Sequence, residues 1–292
     1  MKKFVLKIIT VLALIIAAAF LLDTLYTIVF VQGFDRTKID AVFHSKNEKY
    51  DLVMLGSSRA NNHFVAPLFE AEGLKTFNYG MSGGHLFEAA MLLKMMLENN
   101  YQIKTVLLEA DLNLSNESRA EGIASRFLPY LHSSAAVRQH FKNEPDYNYL
   151  YYIPFYRYIQ YDAQIGFREV YKKLSNERTN VLDHLGYHPL GQKPNTSMKN
   201  NIKALKPLHN RYYEEIKMLC KKYNIQLITV MTPMCTNTIG MDYFDRVKKL
   251  YPEIYNYENV VTDDKYFSSC GHLNDAGAKM FTVKIINDFF KK

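Results

Sequence analysis

The sequence predicts an α/β protein with a parallel central sheet, and three observations carry that expectation. Short apolar runs closed by glycine, asparagine or proline recur at Asp51 to Gly56, Lys75 to Asn78, Thr105 to Ala110 and Gln226 to Met231. Such runs are typical of strands buried on both faces. Stretches with apolar residues at helical spacing lie between them, as at His85 to Leu97 and Leu208 to Tyr223. That alternation is the rhythm of a sheet covered by helices. Finally, Leu52-Val53-Met54-Leu55 breaks at Gly56-Ser57-Ser58-Arg59, which is how α/β proteins place a serine on a sharp turn at the carboxyl edge of a strand.

At 292 residues the chain can bury one full α/β core with an insertion. It is 48% hydrophobic and has no low-complexity tract, so it is globular and not disordered. The net charge of +7 is spread along the chain and no nucleic-acid motif accompanies it, which argues against a nucleic-acid partner. An anionic envelope surface, lipid headgroup or acidic polymer, suits mild basicity equally well.

Taken in order, residues 4–31 read as a transmembrane signal anchor. Lys2, Lys3 and Lys7 precede the apolar run Ile8 to Leu22, Asp23 interrupts it, and Thr24 to Val31 is apolar again. The segment is long enough for a hydrocarbon core of about 30 Å, and the leading lysines put its N-terminus on the cytoplasmic side. Ala17-Ala18-Ala19 also permits a cleaved signal peptide; either way the folded part is exported. Residues 32–49 read as a polar juxtamembrane connector, and residues 50–292 as the α/β domain. Within it, residues 116–207 form a helical insertion with no convincing buried strand, rich in tyrosine around Tyr147 to Tyr158 and ending in a Gly/Pro/Asn-rich loop at Gly186 to Asn200. The tyrosines suit a small core of the insertion's own, a lid or sugar-stacking surface, or a contact with the membrane or another subunit. Asp242 to Leu250 and Asn274 to Phe290 complete the pattern as helices, with Asn274 as N-cap of the last. Met91, Met95 and Met96 lie at helical spacing and read as core.

Three cysteines are too few for a disulfide scaffold. Cys220 reads as an apolar filler in a helix. Cys235 follows a strand and Cys270 precedes His272 by two residues, so the two can pair if both loops open at one sheet edge, although sequence cannot supply the required separation. A metal site is disfavoured because no histidine stands at ligand spacing from them, and no cofactor is implied.

A serine on a strand-end turn needs a base and an oxyanion hole to act as a nucleophile. Ser58 is the candidate nucleophile and His272 the base. Gly80 and Asn113, both just past strands, are candidate oxyanion donors, at the edge where open α/β sheets place their ligand crevices. Arg59 is a candidate for binding an anionic substrate group or for a structural salt bridge. His63 and His85 lie near the site and read as ordinary histidines. Glu109 and Asp111 are paired carboxylates, but no second pair suggests glycosidase chemistry.

These residues resemble the blocks of the SGNH (GDSL-type) hydrolase superfamily, and within it the membrane-anchored proteins that acylate or deacylate cell-envelope polymers. Gly56-Ser57-Ser58 matches the nucleophile block Gly-Asp-Ser with serine for aspartate, which makes Ser58 the catalytic residue. Asn78-Tyr79-Gly80 supplies the glycine of the second block. Asp111-Leu112-Asn113-Leu114 keeps only the asparagine of the third. Ser269-Cys270-Gly271-His272-Leu273-Asn274, with Gly277-Ala278, matches the last block except at the acid. The resemblance implies a three-layer SGNH-like (flavodoxin-like) parallel sheet carrying a helical insertion and an N-terminal transmembrane helix.

Ser269 stands where the aspartate should orient the histidine, and three readings follow: Asp263 or Asp264 reaches in from upstream, Ser269 or a carbonyl orients the imidazole of a Ser-His dyad, or catalysis is lost. Loss of a triad carboxylate can remove several powers of ten in turnover and still leave activity. The resemblance therefore implies an exported serine esterase or O-acyltransferase acting on an acylated envelope polysaccharide through an acyl-serine intermediate. A multi-span membrane acyltransferase is the partner such systems imply. The alternatives are a catalytically inactive protein that binds polysaccharide or an envelope-assembly partner, and a lipid-directed esterase.

Overall fold

The computed structural model describes residues 1–191 and 198–291, and in it the apolar runs become one parallel sheet. In chain order, the first elements are α1 (Lys2–Gln32), α2 (Lys38–His44), β1 (Lys49–Leu55), α3 (Ser58–His63), α4 (Ala66–Ala71), β2 (Thr76–Asn78), α5 (Leu86–Glu98) and β3 (Gln102–Glu109). The insertion follows as α6 (Glu121–Ala124), α7 (Ala135–Phe141), α8 (Tyr147–Tyr152), α9 (Tyr156–Gln160), α10 (Asp162–Ile165) and α11 (Phe167–Leu174), before the two-residue strand β4 (Asn200–Asn201). The chain closes with α12 (Arg211–Lys222), β5 (Gln226–Met231), β6 (Thr238–Ile239), α13 (Asp242–Leu250), β7 (Tyr255–Asn256), β8 (Phe267–Ser269), β9 (His272–Leu273) and α14 (Asp275–Phe289).

The main sheet has the order β2-β1-β3-β5-β7, with every pair parallel. Its strands read as unbroken apolar runs because both faces are covered. Val53, Leu55, Val106 and Leu108 face the cluster that contains α5, α12 and α13. Leu52, Met54, Leu107 and Ile228 face the cluster built on α4 and α14. Side chains two apart thus enter the same layer. This is the three-layer α/β architecture the sequence predicts. Gln226–Met231 and Asp242–Leu250 fall on their expected bounds, Asn274 caps α14 by accepting the Gly277 N–H, and Met91, Met95, Met96 and Cys220 are core. The fifth strand, β7, was illegible: it is two residues long and exposed on both, so no apolar run marks it.

Two expectations change. Within the polar connector, residues 38–44 fold into α2 under a Thr37–Asp40 capping box and bury Ile39 and Val42 in the core, a helix the sequence reading did not mark. The insertion's aromatics do not form a separate core. Phe127, Tyr130, Phe141, Leu150 and Tyr158 belong to the same cluster as Val53 and α5. Part of the Gly186 to Asn200 loop lies outside the described residues.

α1 is long and apolar enough to cross a membrane, and its only buried residue is Phe30. Its last third docks on the insertion. Asp23, the residue that interrupts the apolar run, accepts a 2.9 Å bond from Arg157 Nη2 and another from the Phe155 N–H.

Cys235 and Cys270 form a disulfide across a Cα separation of 4.8 Å, and the Cys235 N–H also donates to the Cys270 carbonyl. The bridge closes a loop of sequence separation 35. Reducing it is expected to lower stability by about 2–4 kcal/mol, measured as the shift in urea midpoint between oxidised and reduced full-length protein.

Candidate active site

The turn after β1 sets the candidate nucleophile, Ser58. Gly56 has φ +138°, and a Cβ there would lie 2.8 Å from Glu109 Oε2 and 2.9 Å from Ala60 Cβ, so glycine is required on both counts. Ser57 then caps α3, its Oγ accepting the Arg59 N–H, and Ser58 opens the helix at the carboxyl end of β1. The C-terminal hairpin β8–β9 brings His272 to the same edge. His272 Nε2 lies 2.8 Å from Ser58 Oγ, and His272 Nδ1 lies 3.2 Å from Ser269 Oγ. With Nδ1–H donating to Ser269, Nε2 is left to accept the Ser58 proton. These residues line a cleft of about 430 Å³ together with Gly83, Gly84, His85, Asp111, Asn113, Lys199 and Asn200. A groove of about 520 Å³ at the opposite ends of β1 and β3, lined by Tyr50, Tyr101 and Lys104, carries no such pair.

The side chain beside Nδ1 is therefore Ser269, not an upstream acid. Asp263 is turned to its own loop, where it accepts the Lys265 N–H and pairs with Lys265 Nζ at 2.7 Å. Asp264 makes no bond to His272 either, and its Oδ1 is buried without a partner among the described residues. Both follow from the short 3-10 turn over Asp264–Tyr266, which separates them from the hairpin.

Arg59 borders the cleft, but its guanidinium is engaged within the protein. Its guanidinium is buried, with Nε on Thr232 Oγ1 and Asp111 Oδ2, Nη2 on the carbonyls of Thr232 and Pro233, and Nη1 on the Gly271 carbonyl and Met234 Sδ. All five of its N–H groups are spent inside the protein. Of the two sequence readings, the salt bridge is what forms. Gly80 also departs from its expected role. Its N–H donates to Asn78 Oδ1, its carbonyl accepts from Lys38 Nζ, and a Cβ would meet the Asn61 nitrogen at 2.4 Å. It is a close-packing glycine beneath α3, outside the cleft lining. Gly83 and Gly84, three and four residues on, reach the cleft instead; their Met81–Gly84 turn was not separable from the second block by pattern alone. Asn113 does line the cleft, on the 3-10 turn Leu112–Ser115.

Beneath the serine lies a buried polar network whose importance the sequence understated. Glu109 Oε2 accepts the Ser57 N–H at 2.8 Å and the Ser57 hydroxyl at 2.6 Å. Burial first, and then the neighbouring Asp111 carboxylate, push the Glu109 carboxyl well above the usual range. That shift favours the protonated form of Glu109, which lessens the cost of burying it beside Asp111 and Arg59. His63 also sits behind the site: its Nε2 accepts the Leu273 N–H at 3.0 Å, and its ring meets that of His272 at 6.1 Å. Burial and the Arg59 charge hold it neutral.

His272 itself is pushed below the ordinary histidine value by burial and by Arg59, with Asp111 opposing. Its base form therefore survives to lower pH than usual.

No protein-family model matches the chain, and no curated protein matches it significantly. Among solved structures, one titled "The structure of a putative platelet activating factor from Streptococcus pneumonia" aligns over 98% of this chain and 99% of its own, at 11% identity and a TM-score of 0.42. A likeness that low carries no weight for fold or function, which rest here on the sheet topology and the cleft.

If Ser269 orients the imidazole, the acid limb of kcat/KM for an activated ester should fall below pH 6.5, since activity is lost only as pH drops through the depressed His272 value. Ser269→Asp places a carboxylate beside Nδ1 and is expected to move that limb to higher pH, whereas Ser269→Ala is expected to lower kcat without that upward move. A pH–rate profile of the three proteins checks both.

Proposed function

We propose that the protein is a serine esterase or O-acyltransferase that works through an acyl-Ser58 intermediate. The observation that carries this reading is the relay Ser58 Oγ–His272 Nε2 at 2.8 Å and His272 Nδ1–Ser269 Oγ at 3.2 Å, at the floor of an open cleft. A purely structural serine and histidine have no need of this alignment.

Ser58 Oγ attacks the acyl carbonyl as His272 Nε2 takes its proton. The imidazolium is held through Nδ1–H on Ser269, and the Asp111 carboxylate favours its charge. The tetrahedral oxyanion is met by the Ser58 N–H at the start of α3, which has no partner among the described residues, and by the Asn113 side chain from across the cleft. Collapse breaks the ester bond, and His272 returns the proton to the departing alkoxide. Water or an acceptor hydroxyl then attacks the acyl-serine, giving its proton to His272, and Ser58 is regenerated with that proton. Hydrolysis and transfer differ only in this second nucleophile.

The cleft is open, and Lys199, Asn200, Asn113 and His85 put polar groups along its wall. This favours a hydroxylated acceptor over a deep acyl tunnel. With α1 as a membrane anchor and the folded part exported, an acylated polysaccharide of the cell envelope is the substrate class we favour, served by a membrane-embedded acyl donor system.

Full-length protein incubated with p-nitrophenyl acetate should release nitrophenol and gain an acetyl group on the peptide containing Ser58. Ser58→Ala should abolish the adduct. His272→Ala should lower turnover by about three orders of magnitude or more. Equal rates in all three proteins, with no adduct, would leave the reading without support and favour the binding-protein alternative.

A further inference from the structure

From the way the insertion meets α1, we infer that the outer face of α8–α9 lies in the headgroup layer of the bilayer, so that the catalytic domain rests on the membrane instead of standing off it. This rests on α1 crossing the membrane and not on the proposed chemistry. From Lys2 to Leu22 the helix is exposed along its length apart from a partly covered Ala19. Those residues rise about 30 Å at 1.5 Å each, the thickness of a hydrocarbon core, with the long side chains of Lys2, Lys3 and Lys7 reaching back to the far headgroups. Contact with the protein begins at the next residue. Asp23 takes the Arg157 guanidinium at 2.9 Å and the Phe155 N–H, Thr27 Oγ1 accepts from Arg157 Nη2, and Tyr26 packs edge-on against Phe155 at 4.9 Å and Tyr158 at 5.2 Å. The α8–α9 segment is thereby fixed at the level where α1 leaves the lipid.

At that level the segment shows apolar and aromatic side chains to the outside. Tyr149 is 55% exposed, Tyr152 69%, Ile153 43% and Ile159 68%, and Phe167, at the start of α11 just beyond α10, is 68% exposed. Inside a globular protein such residues would be covered. Tyrosines with an apolar body and a polar tip favour the membrane–water interface, and a surface continuous with a lipid-facing helix has the bilayer as its nearest apolar phase. The partly buried Asp23–Arg157 pair would otherwise be an expensive feature at the end of an apolar helix. Here it locks the face at one depth.

The chain contains no tryptophan, so Tyr152→Trp installs a single indole on this face. Met280, 46% exposed on α14, lies on the opposite side of the sheet from the cluster that holds Phe30, and Met280→Trp is the control. Both full-length variants are reconstituted into phosphatidylcholine/phosphatidylglycerol vesicles with lipids brominated near the top of the acyl chain. The indole at position 152 should emit blue-shifted, be quenched several-fold more by the brominated lipid than that at position 280, and resist aqueous iodide. Quenching by iodide equal to the control, with no effect of bromine, would overturn the inference. So would shielding from both quenchers, which would put a second protein surface over the face. Ile159→Trp repeats the measurement should Tyr152→Trp fail to fold.

Discussion

The arrangement at the cleft depends on one guanidinium. Arg59 sits directly after the nucleophile, and its five N–H groups reach three separate pieces of chain: the end of β3 through Asp111, the end of β5 through Thr232 and Pro233, and the histidine hairpin through Gly271. A planar fork of fixed geometry can hold those pieces at set distances in a way a flexible ammonium cannot. The position of His272 relative to Ser58 is thus fixed from behind as well as by their own hydrogen bond. The same buried charge has a consequence for chemistry, since it disfavours a second positive charge on the imidazole. Asp111 supplies part of the compensation while serving as the partner that makes burying Arg59 tolerable.

This explains how a site with serine in the acid position can hold together. In a triad the carboxylate both orients the imidazole and offsets its charge. Here the two duties are divided. Ser269 orients the ring through Nδ1, the Leu273 N–H is anchored on neutral His63, and the disulfide at Cys270 tethers the hairpin to the loop after β5. Charge compensation comes from a distance through Asp111. Orientation is therefore well provided and electrostatic support is thin, a combination expected to give a slower nucleophile with a low-pH base and not a dead one.

How much of this could be read in advance follows the physics of each signal. The sheet was legible because strands buried on both faces must be apolar throughout, so Leu52–Leu55 and Gln226–Met231 announce themselves. Ser58 and His272 were legible because a glycine-broken strand end and a histidine before a capped helix are local patterns. The role of Arg59 was not, since it depends on where three loops of different lengths converge. Gly80 misled for a related reason. A glycine after a strand marks close approach of backbone, and only the fold shows that what approaches is Asn61 and not a substrate. The polar look of residues 32–49 hid α2 because its charged members are themselves buried and paired: Asp40 holds Lys173 Nζ at 2.8 Å and accepts the Arg36 N–H and the Tyr130 hydroxyl.

That burial also connects α1 to the helix that carries Ser58. Lys38 Nζ, on α2, donates to Asn61 Oδ1 at 2.6 Å and to the carbonyls of Gly80 and Gly186, each at 2.7 Å. Asn61 belongs to α3, one turn after Ser58. A continuous set of packed and hydrogen-bonded elements therefore runs from α1 through α2 to the helix that carries the nucleophile. The Lys38 links are buried, so α2 cannot swing away from α3 without leaving polar groups unsatisfied. A flexible tether would let the cleft sample a range of heights above the bilayer. This connection instead ties the position of Ser58 to that of α1.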